Sequence, residues 1–293
     1  MKSAQELQQI AWKLRKEVLK ILTKAGSGHT ASSLGLAEFM AVMYGSILRY
    51  NPERPDWGGR DRLIVSNGHV VPIWYAALAE FGFITKRELE TLRQFGSRLQ
   101  GHPHTFYQLS FPKQKLVPGI ENTGGPLGQG VSVAVGRALG LSLKADLNRQ
   151  RWGYQPRVFC LLSDAELEEG QVWEAFEFSV SHDLKDLVFI IDRNNIQIDA
   201  YVDEVIKLEP LTAKLEAFGL EVREVDGNRI EDLEMIFGDR RLYQKPSVVI
   251  MKTVPGKGVS FMENKWEWHG KVPNRDELKM ALKEIENKLM ISD

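Results

Sequence analysis

The sequence predicts an α/β fold, a mostly parallel sheet with helices on both faces, and three features carry that reading. The short apolar runs RLIVS, RVFCLL, LVFIID, LEVREV and SVVIMKT have the length and β-branched content of strands. Most are separated by segments of helical period, such as GQVWEAFEFSVSH and RIEDLEMIF. No low-complexity linker or repeat divides the 293 residues, so a single domain over 1–293 is expected, with an N-terminal helix and a C-terminal helical tail.

Taken in chain order, Ser3 and Glu6 form a capping-box signature, and Leu7, Ile10, Leu14 and Val18 then place one apolar stripe on a first helix. Thr85 and Glu88 repeat the signature ahead of ELETLRQF. Between roughly residues 96 and 130 the chain is rich in Gly, Pro and His; a loop that long in a compact domain is functional or disordered. PLGQGVSVAVGRALG spaces Gly128, Ser132, Gly136 and Gly140 by four, which suits close helix packing at a cofactor or subunit interface, and it is too short and polar for a membrane helix. RDELKMALKEIENKLMISD reads as a closing amphipathic helix.

Charge narrows the function classes. The 38 basic and 39 acidic residues are interspersed, giving a formal charge of −1 and no basic stripe to follow nucleic-acid phosphates. The first residues lack a signal-peptide pattern, and no segment approaches the roughly 20 apolar residues of a bilayer span, so a cytoplasmic protein without membrane contact is expected. Cys160, the single cysteine, sits inside RVFCLL and reads as a small buried hydrophobe. Neither GQGVSV nor GKGVSF completes G-x-G-x-x-G, and no Walker lysine motif is present, which removes the main support for dinucleotide or NTP binding.

Ligands of open α/β sheets bind beyond the carboxyl ends of strands. One strand ends at Ser163, Asp164 and Ala165; the next ends at Asp192, Arg193, Asn194 and Asn195. The interval from Asp164 to Asn194 is one crossover helix and one further strand. If the strands are neighbours, the Asp164 carboxylate, the Asn194 amide oxygen and the Ile196 carbonyl form a partial hard-cation shell that phosphate oxygens could complete, as Mg²⁺ prefers. The helix after Asp164 would turn its N-terminus toward the anion. On these two residues alone, a helix N-cap at Asp164 and an ordinary turn at Asn194 serve equally well.

SDAELEEGQVWEAFEF followed by IIDRNNIQID resembles the thiamin diphosphate fingerprint of transketolases. It is joined, in order, by AGSGHTASSLGLAEFM, DRLIVSNGHVVPIWYA, LQGHPH, TGGPLGQGVSVAVGRALG and TVPGKGVSFMENKWEWHG, each similar to a transketolase block. The chain has the length of that family's N-terminal, diphosphate-binding domain, so it resembles the N-terminal subunit of a split transketolase. The resemblance implies that Asp164 and Asn194, through their side chains, and Ile196, through its carbonyl, hold Mg²⁺, with Ca²⁺ or Mn²⁺ as substitutes. It assigns cofactor binding to His69, Gly125, Pro126, Leu127, Gly128, Ser163, Ala165, Glu169, Asn194 and His269. Catalytic roles fall to His29, His102 and His269, and Glu169 also matches a family glutamate at the dimer interface. Imidazoles can bond sugar hydroxyls and move protons near neutral pH, as cleavage of a ketose carbon bond requires. A zinc pair at His102 and His104 lacks further ligands in the sequence, and His182 reads as a surface residue.

The implied activity is transfer of a two-carbon ketol unit from a ketose phosphate to an aldose phosphate, in pentose phosphate chemistry. A separately encoded C-terminal subunit would supply the pyrimidine-binding domain and its activating glutamate, with a homodimer of this chain inside an α2β2 assembly. Two other readings stay open: a subunit of a different two-component thiamin diphosphate enzyme of the 2-oxo acid dehydrogenase type, and a non-catalytic scaffold or regulatory subunit that retains the fold. Several positions depart from the family pattern: Ser163 and Ala165 replace both fingerprint glycines, and Thr30, Asn67, Gly124 and Ala200 are also unusual. A left-handed Ala165 would cost about 1 to 2 kcal/mol.

Overall fold

The computed structural model describes residues 2–105 and 116–291, so part of the long middle segment (106–115) and the end of the C-terminal tail lie outside the described residues. The N-terminal half contains α1 (Ala4–Ala25), α2 (Thr30–Gly35), α3 (Ala37–Val42), β1 (Arg62–Val65), α4 (Val71–Glu80), α5 (Lys86–Leu89), α6 (Gln129–Ser142) and α7 (Ala145–Trp152). There follow β2 (Val158–Ser163), α8 (Gly170–Ser181), β3 (Leu187–Arg193), the two-residue strands β4 (Ile196–Gln197) and β5 (Ala200–Tyr201), and α9 (Val202–Val205). α10 (Leu211–Ala217), β6 (Glu221–Asp226), α11 (Ile230–Gly238), β7 (Ser247–Lys252) and α12 (Arg275–Ile291) complete the chain.

The main sheet has the order β1-β2-β3-β7-β6 and every pairing in it is parallel. Its five strands are the five apolar runs read from the sequence. Side chains of successive strand residues point to opposite faces. On β2, Phe159 and Leu161 enter one core with α1, α3, α4 and α11, while Val158, Cys160 and Leu162 enter a second core with α6, α8 and α10. An inner strand covered on both faces has no solvent side to supply polar alternation, which is why the β2 and β3 runs are apolar almost throughout, whereas the edge strand β6 alternates with Glu and Arg and is half-exposed. Cys160 is fully buried, and burial pushes its thiol pKa well up, as befits a small hydrophobe.

Local rules set the ends of several elements. The Ser3 N–H donates to Glu6 Oε2 at 2.7 Å and the Glu6 N–H donates to Ser3 Oγ at 3.2 Å, closing the capping box of α1. Helix α12 buries Ala281 and Ile285, and Lys16 on α1 pairs with its Glu286 at 2.6 Å. At Thr85 the cap forms, but α5 lasts only four residues: Glu88 pairs with Arg98 rather than reaching back to the cap, and Arg93 has φ of 59°. A left-handed non-glycine residue cannot continue a helix, so ELETLRQF bends into a loop. No helix of the described residues is long and apolar enough to cross a membrane.

Candidate active site

β2 and β3 are neighbours, with Ser163 aligned on Asp192, so Asp164 and Asn194 emerge side by side at one sheet edge. Beyond that edge lies a cavity of about 290 Å³. Ser163 and Ala165 line it from the end of β2, and Asn194, Ile196, Gln197 and Ile198 from the end of β3 and the following hairpin. Its other lining residues, His29, Ser32, His69, His102, Leu127 and His269, come from five separate segments. All four histidines singled out in the sequence therefore meet in one place, although 240 residues separate His29 from His269.

The rings of His29, His69 and His269 form a triangle with centroid separations of 5.0, 5.1 and 5.1 Å. Burial pushes the pKa of His29 down to about 4, helped by the positive charge that His269, His102 and Arg93 would each place beside it. Burial also lowers His69 well below its ordinary value, and lowers His102 and His269. The cluster is thus neutral at physiological pH, with ring nitrogens able to accept as well as donate. Nδ1 of His29, Nδ1 of His269 and the hydroxyl of Ser32 are buried without a hydrogen-bond partner. Buried polar atoms are rarely left so, and three of them facing one cavity suit a polar ligand.

The neighbouring strand ends form a second cluster. Asp164 is fully buried; its Oδ1 accepts the Ala165 N–H at 3.0 Å, and its Oδ2 accepts the Asn195 N–H at 2.7 Å and Arg193 Nη1 at 3.1 Å. Burial raises its pKa to about 6 against the lowering effect of these donors. Asn194 donates from Nδ2 to Asp192 Oδ2 at 2.8 Å and accepts the Ile196 N–H on Oδ1 at 2.9 Å. The cap-like and turn-like roles of Asp164 and Asn194 are thus both made. Each of Asp164 Oδ1 and Asn194 Oδ1 accepts one donor and keeps a lone pair, so a hard cation fits this oxygen set, although Arg193 already occupies Oδ2. Among the described residues no group of three or more His, Cys, Asp or Glu side chains suits a metal, which leaves the zinc reading of His102 and His104 without support.

The turn after β2 has no need of glycine. Asp164 is right-handed helical (φ −61°, ψ −39°), Ala165 begins a 3-10 turn running to Glu168, and Ala165 is not among the residues of positive φ. The left-handed strain considered for Ala165 is therefore absent. Ser163 orients its hydroxyl to accept the Glu166 N–H at 3.3 Å. Glu166, which the sequence does not mark out, is fully buried and accepts from Ser66 Oγ at 2.6 Å, the Gly128 N–H at 2.7 Å and the Ser163 N–H at 2.9 Å. It ties the ends of β1 and β2 to the start of α6. Gly128, the N-cap of α6, has φ of +76°, and a Cβ there would lie 2.9 Å from the Gln171 side chain.

Not every expected cofactor residue reaches the cavity. Glu169 is exposed at the N-cap of α8 and Pro126 is exposed; neither is a lining residue. Glu169 is carried outward because the 3-10 turn places Glu166 and Leu167 inward, so the buried carboxylate here is Glu166. Gly125 and Gly128 act through backbone shape: a Cβ at Gly125 would sit 3.7 Å from the His102 ring. His182 is exposed and stacks on Phe178 at 3.9 Å, a surface role. Ser32, Gln197 and Ile198 line the cavity without a signal of their own, since nothing in their local sequence marks them.

A parallel α/β sheet with a histidine-lined cavity over its carboxyl edge defines a ligand-binding protein of the open-sheet class. Residues 7–287 match the family model described as "Transketolase, thiamine diphosphate binding domain", and the chain belongs to this family. It is 35% identical over 282 residues to the 6-deoxy-6-sulfo-D-fructose transketolase subunit SqwG of a Clostridium species, covering 96% of each chain. It is 36% identical to an apulose-4-phosphate transketolase subunit of Phocaeicola vulgatus, covering 94% of this chain and 92% of that one. Against human transketolase, the identity is 36% over 96% of this chain but 42% of the other. The Campylobacter jejuni transketolase crystal structure superposes with a TM-score of 0.85 at 31% identity, covering 98% of this chain and 43% of that one. The chain therefore spans less than half of these full-length transketolases and nearly all of the two relatives named as subunits.

Proposed function

We propose that the chain is the thiamin diphosphate half of a two-subunit transketolase, which moves a two-carbon ketol unit between sugar phosphates and works only with a separately encoded subunit carrying the pyrimidine-binding domain. The observation that carries this reading is the meeting of His29, His69, His102 and His269 over the strand ends that bear Asp164 and Asn194. The near-complete coverage of relatives named as transketolase subunits supports the split arrangement. Those relatives are named for sugars bearing a phosphate or a sulfonate, which supports an anionic sugar as substrate.

In this reading Asp164 and Asn194 would hold Mg²⁺ with their side-chain oxygens and Ile196 with its carbonyl, a set of hard oxygen donors such as that cation takes. His69 and His269 would hold the diphosphate of the cofactor, with Leu127 and the Gly125–Gly128 backbone beside it. Bound there, thiamin diphosphate supplies the nucleophilic carbon and the electron sink that a carbon–carbon cleavage needs. His29 and His102 face the substrate. Neutral by burial, they accept a hydroxyl proton as the ketose bond breaks and return it to the acceptor aldehyde oxygen. Calorimetry of thiamin diphosphate with Mg²⁺ tests the assignment, with the chain alone and with its partner. Binding that requires Mg²⁺ and is lost in Asp164→Ala is expected; unchanged metal-dependent binding in that variant would remove Asp164 from the role.

A further inference from the structure

We propose that Thr30 is a positioning residue: its buried hydroxyl fastens the segment that carries His269 to the helix that carries His29, and so holds the two imidazoles at their working separation. This role deepens the transferase reading and rests on it, because it takes both rings as working groups of that reaction.

The two rings stand on different kinds of backbone. His29 is the N-cap of α2, yet its side chain makes no capping hydrogen bond and lines the cavity instead. His269 follows a short 3-10 turn, Trp266–Trp268, inside the long irregular stretch between β7 and α12. Irregular backbone has no regular ladder of its own, so its placement depends on hydrogen bonds to neighbouring elements.

Consecutive residues of α2 provide such bonds. Thr30, the first residue of the helix, is fully buried, and its Oγ1 donates to the Lys271 carbonyl at 2.7 Å. The Ala31 carbonyl accepts the Gly256 N–H at 2.8 Å, which fixes the other end of the same stretch. Thr30 directly follows His29, and Lys271 lies just beyond His269, so a single hydrogen bond joins the neighbours of two rings whose centroids are 5.1 Å apart. Lys271 is held from its own side as well: its Nζ pairs with Glu277 at 2.8 Å and lies 3.9 Å from the centroid of the Trp268 ring.

An imidazole is ordinarily oriented by the hydrogen bond that its second nitrogen makes. Among the described residues the Nδ1 atoms of His29 and His269 are both buried without a partner. The placement of each ring therefore falls to its backbone, and the Thr30 hydroxyl is where the two backbones are joined. Thr30 is also among the positions at which this sequence departs from the family pattern, so the fastening belongs to this chain's sequence rather than to the fold in general.

The test compares Thr30→Val, which keeps the shape of the side chain and removes its hydroxyl, with Thr30→Ser, which keeps the hydroxyl. Imidazole ¹⁵N NMR of the full chain is the first readout. In Thr30→Val the His29 and His269 signals should both move, while that of His182, exposed at the end of α8, should stay; Thr30→Ser should return the first two close to their wild-type positions. Unmoved His29 and His269 signals in Thr30→Val, or an equal displacement in Thr30→Ser, would overturn the proposal. The second readout is kinetic, with the partner subunit, thiamin diphosphate and Mg²⁺ present. Misaligned groups cost most in the transition state, so Thr30→Val should lower kcat about ten-fold with KM for the ketose phosphate changed by less than about three-fold, and Thr30→Ser should recover most of the loss. Wild-type kcat in Thr30→Val, or an equal loss in Thr30→Ser, would also overturn it. Failure of the transferase reading appears separately, as no transfer by the wild-type mixture, while the NMR comparison still decides the role of Thr30.

Discussion

The side-chain amide of Asn194 is held by Asp192: Nδ2 donates to Asp192 Oδ2 at 2.8 Å, which fixes the direction in which the amide oxygen points. Asp192 is itself fixed by a hydrogen bond from the hydroxyl of Thr253, the residue that follows β7. Asp192→Ala frees the amide to rotate, and a wrongly turned amide would offer a donor to the cation. Magnesium affinity in the presence of thiamin diphosphate, read by calorimetry, should fall by about ten-fold. An unchanged affinity would show that Asp192 does not position Asn194.

The histidine cluster gives a pH signature. His29 is lowered from 6.5 to about 4, so between those values the unfolded chain binds more protons than the folded one. Its contribution to stability is complete above the unfolded pKa and is lost as pH falls toward 4, with a slope of at most ~1.4 kcal/mol per pH unit. Asp164 and Asp192, raised by burial to about 6 and about 7, act in the opposite sense: they favour the folded state at low pH and lose that contribution as pH rises through those values. The informative measurement is the difference in denaturant stability between wild type and His29→Gln from pH 7 to pH 4. The wild type should lose stability relative to the variant as pH falls; parallel curves would contradict the low pKa.

Glu166 and Gly128 set the entry to α6. Removing the carboxylate in Glu166→Ala leaves the N–H groups of Gly128 and Ser163 buried and unpaired, at a cost of about 2 to 4 kcal/mol. Gly128→Ala combines left-handed strain of about 1 to 2 kcal/mol with a clash against Gln171. Thermal or urea unfolding checks both, and wild-type stability in either would count against this description of the turn.

The glycine-poor turn after β2 gives a sharper expectation. Because Ala165 already has ordinary backbone geometry, Ala165→Gly should not improve folding; it should be neutral or cost up to about 1 kcal/mol of unfolding stability. A clear gain in stability would mean that the alanine is strained after all.

Much of the fold was legible because strand burial leaves a simple mark: RVFCLL and LVFIID are continuously apolar since both sheet faces are covered. The strand ends were legible for the same reason, and adjacency of β2 and β3 then brought Asp164 beside Asn194. What stayed hidden depends on contacts between distant segments. Glu166 looks like one more acid in an acidic turn, and its role appears only when Ser66 and Gly128 arrive from elsewhere. Arg93 sits within a run that resembles a helix, and its left-handed backbone is set by the loop that closes on Leu99. Glu169, exposed at the N-cap of α8 beyond the 3-10 turn, does not line the cavity of this chain, as a residue matched to a family dimer-interface glutamate need not.

The central claim is that this chain is one half of an enzyme. It is tested most directly by supplying a ¹³C-labelled ketose phosphate, an aldose phosphate, thiamin diphosphate and Mg²⁺ to the purified chain, with and without a separately encoded subunit bearing the pyrimidine-binding domain. The expected result is label moved as a two-carbon unit only when both polypeptides are present. Full-rate transfer by the isolated chain, or none from the mixture while both proteins are folded, would contradict it.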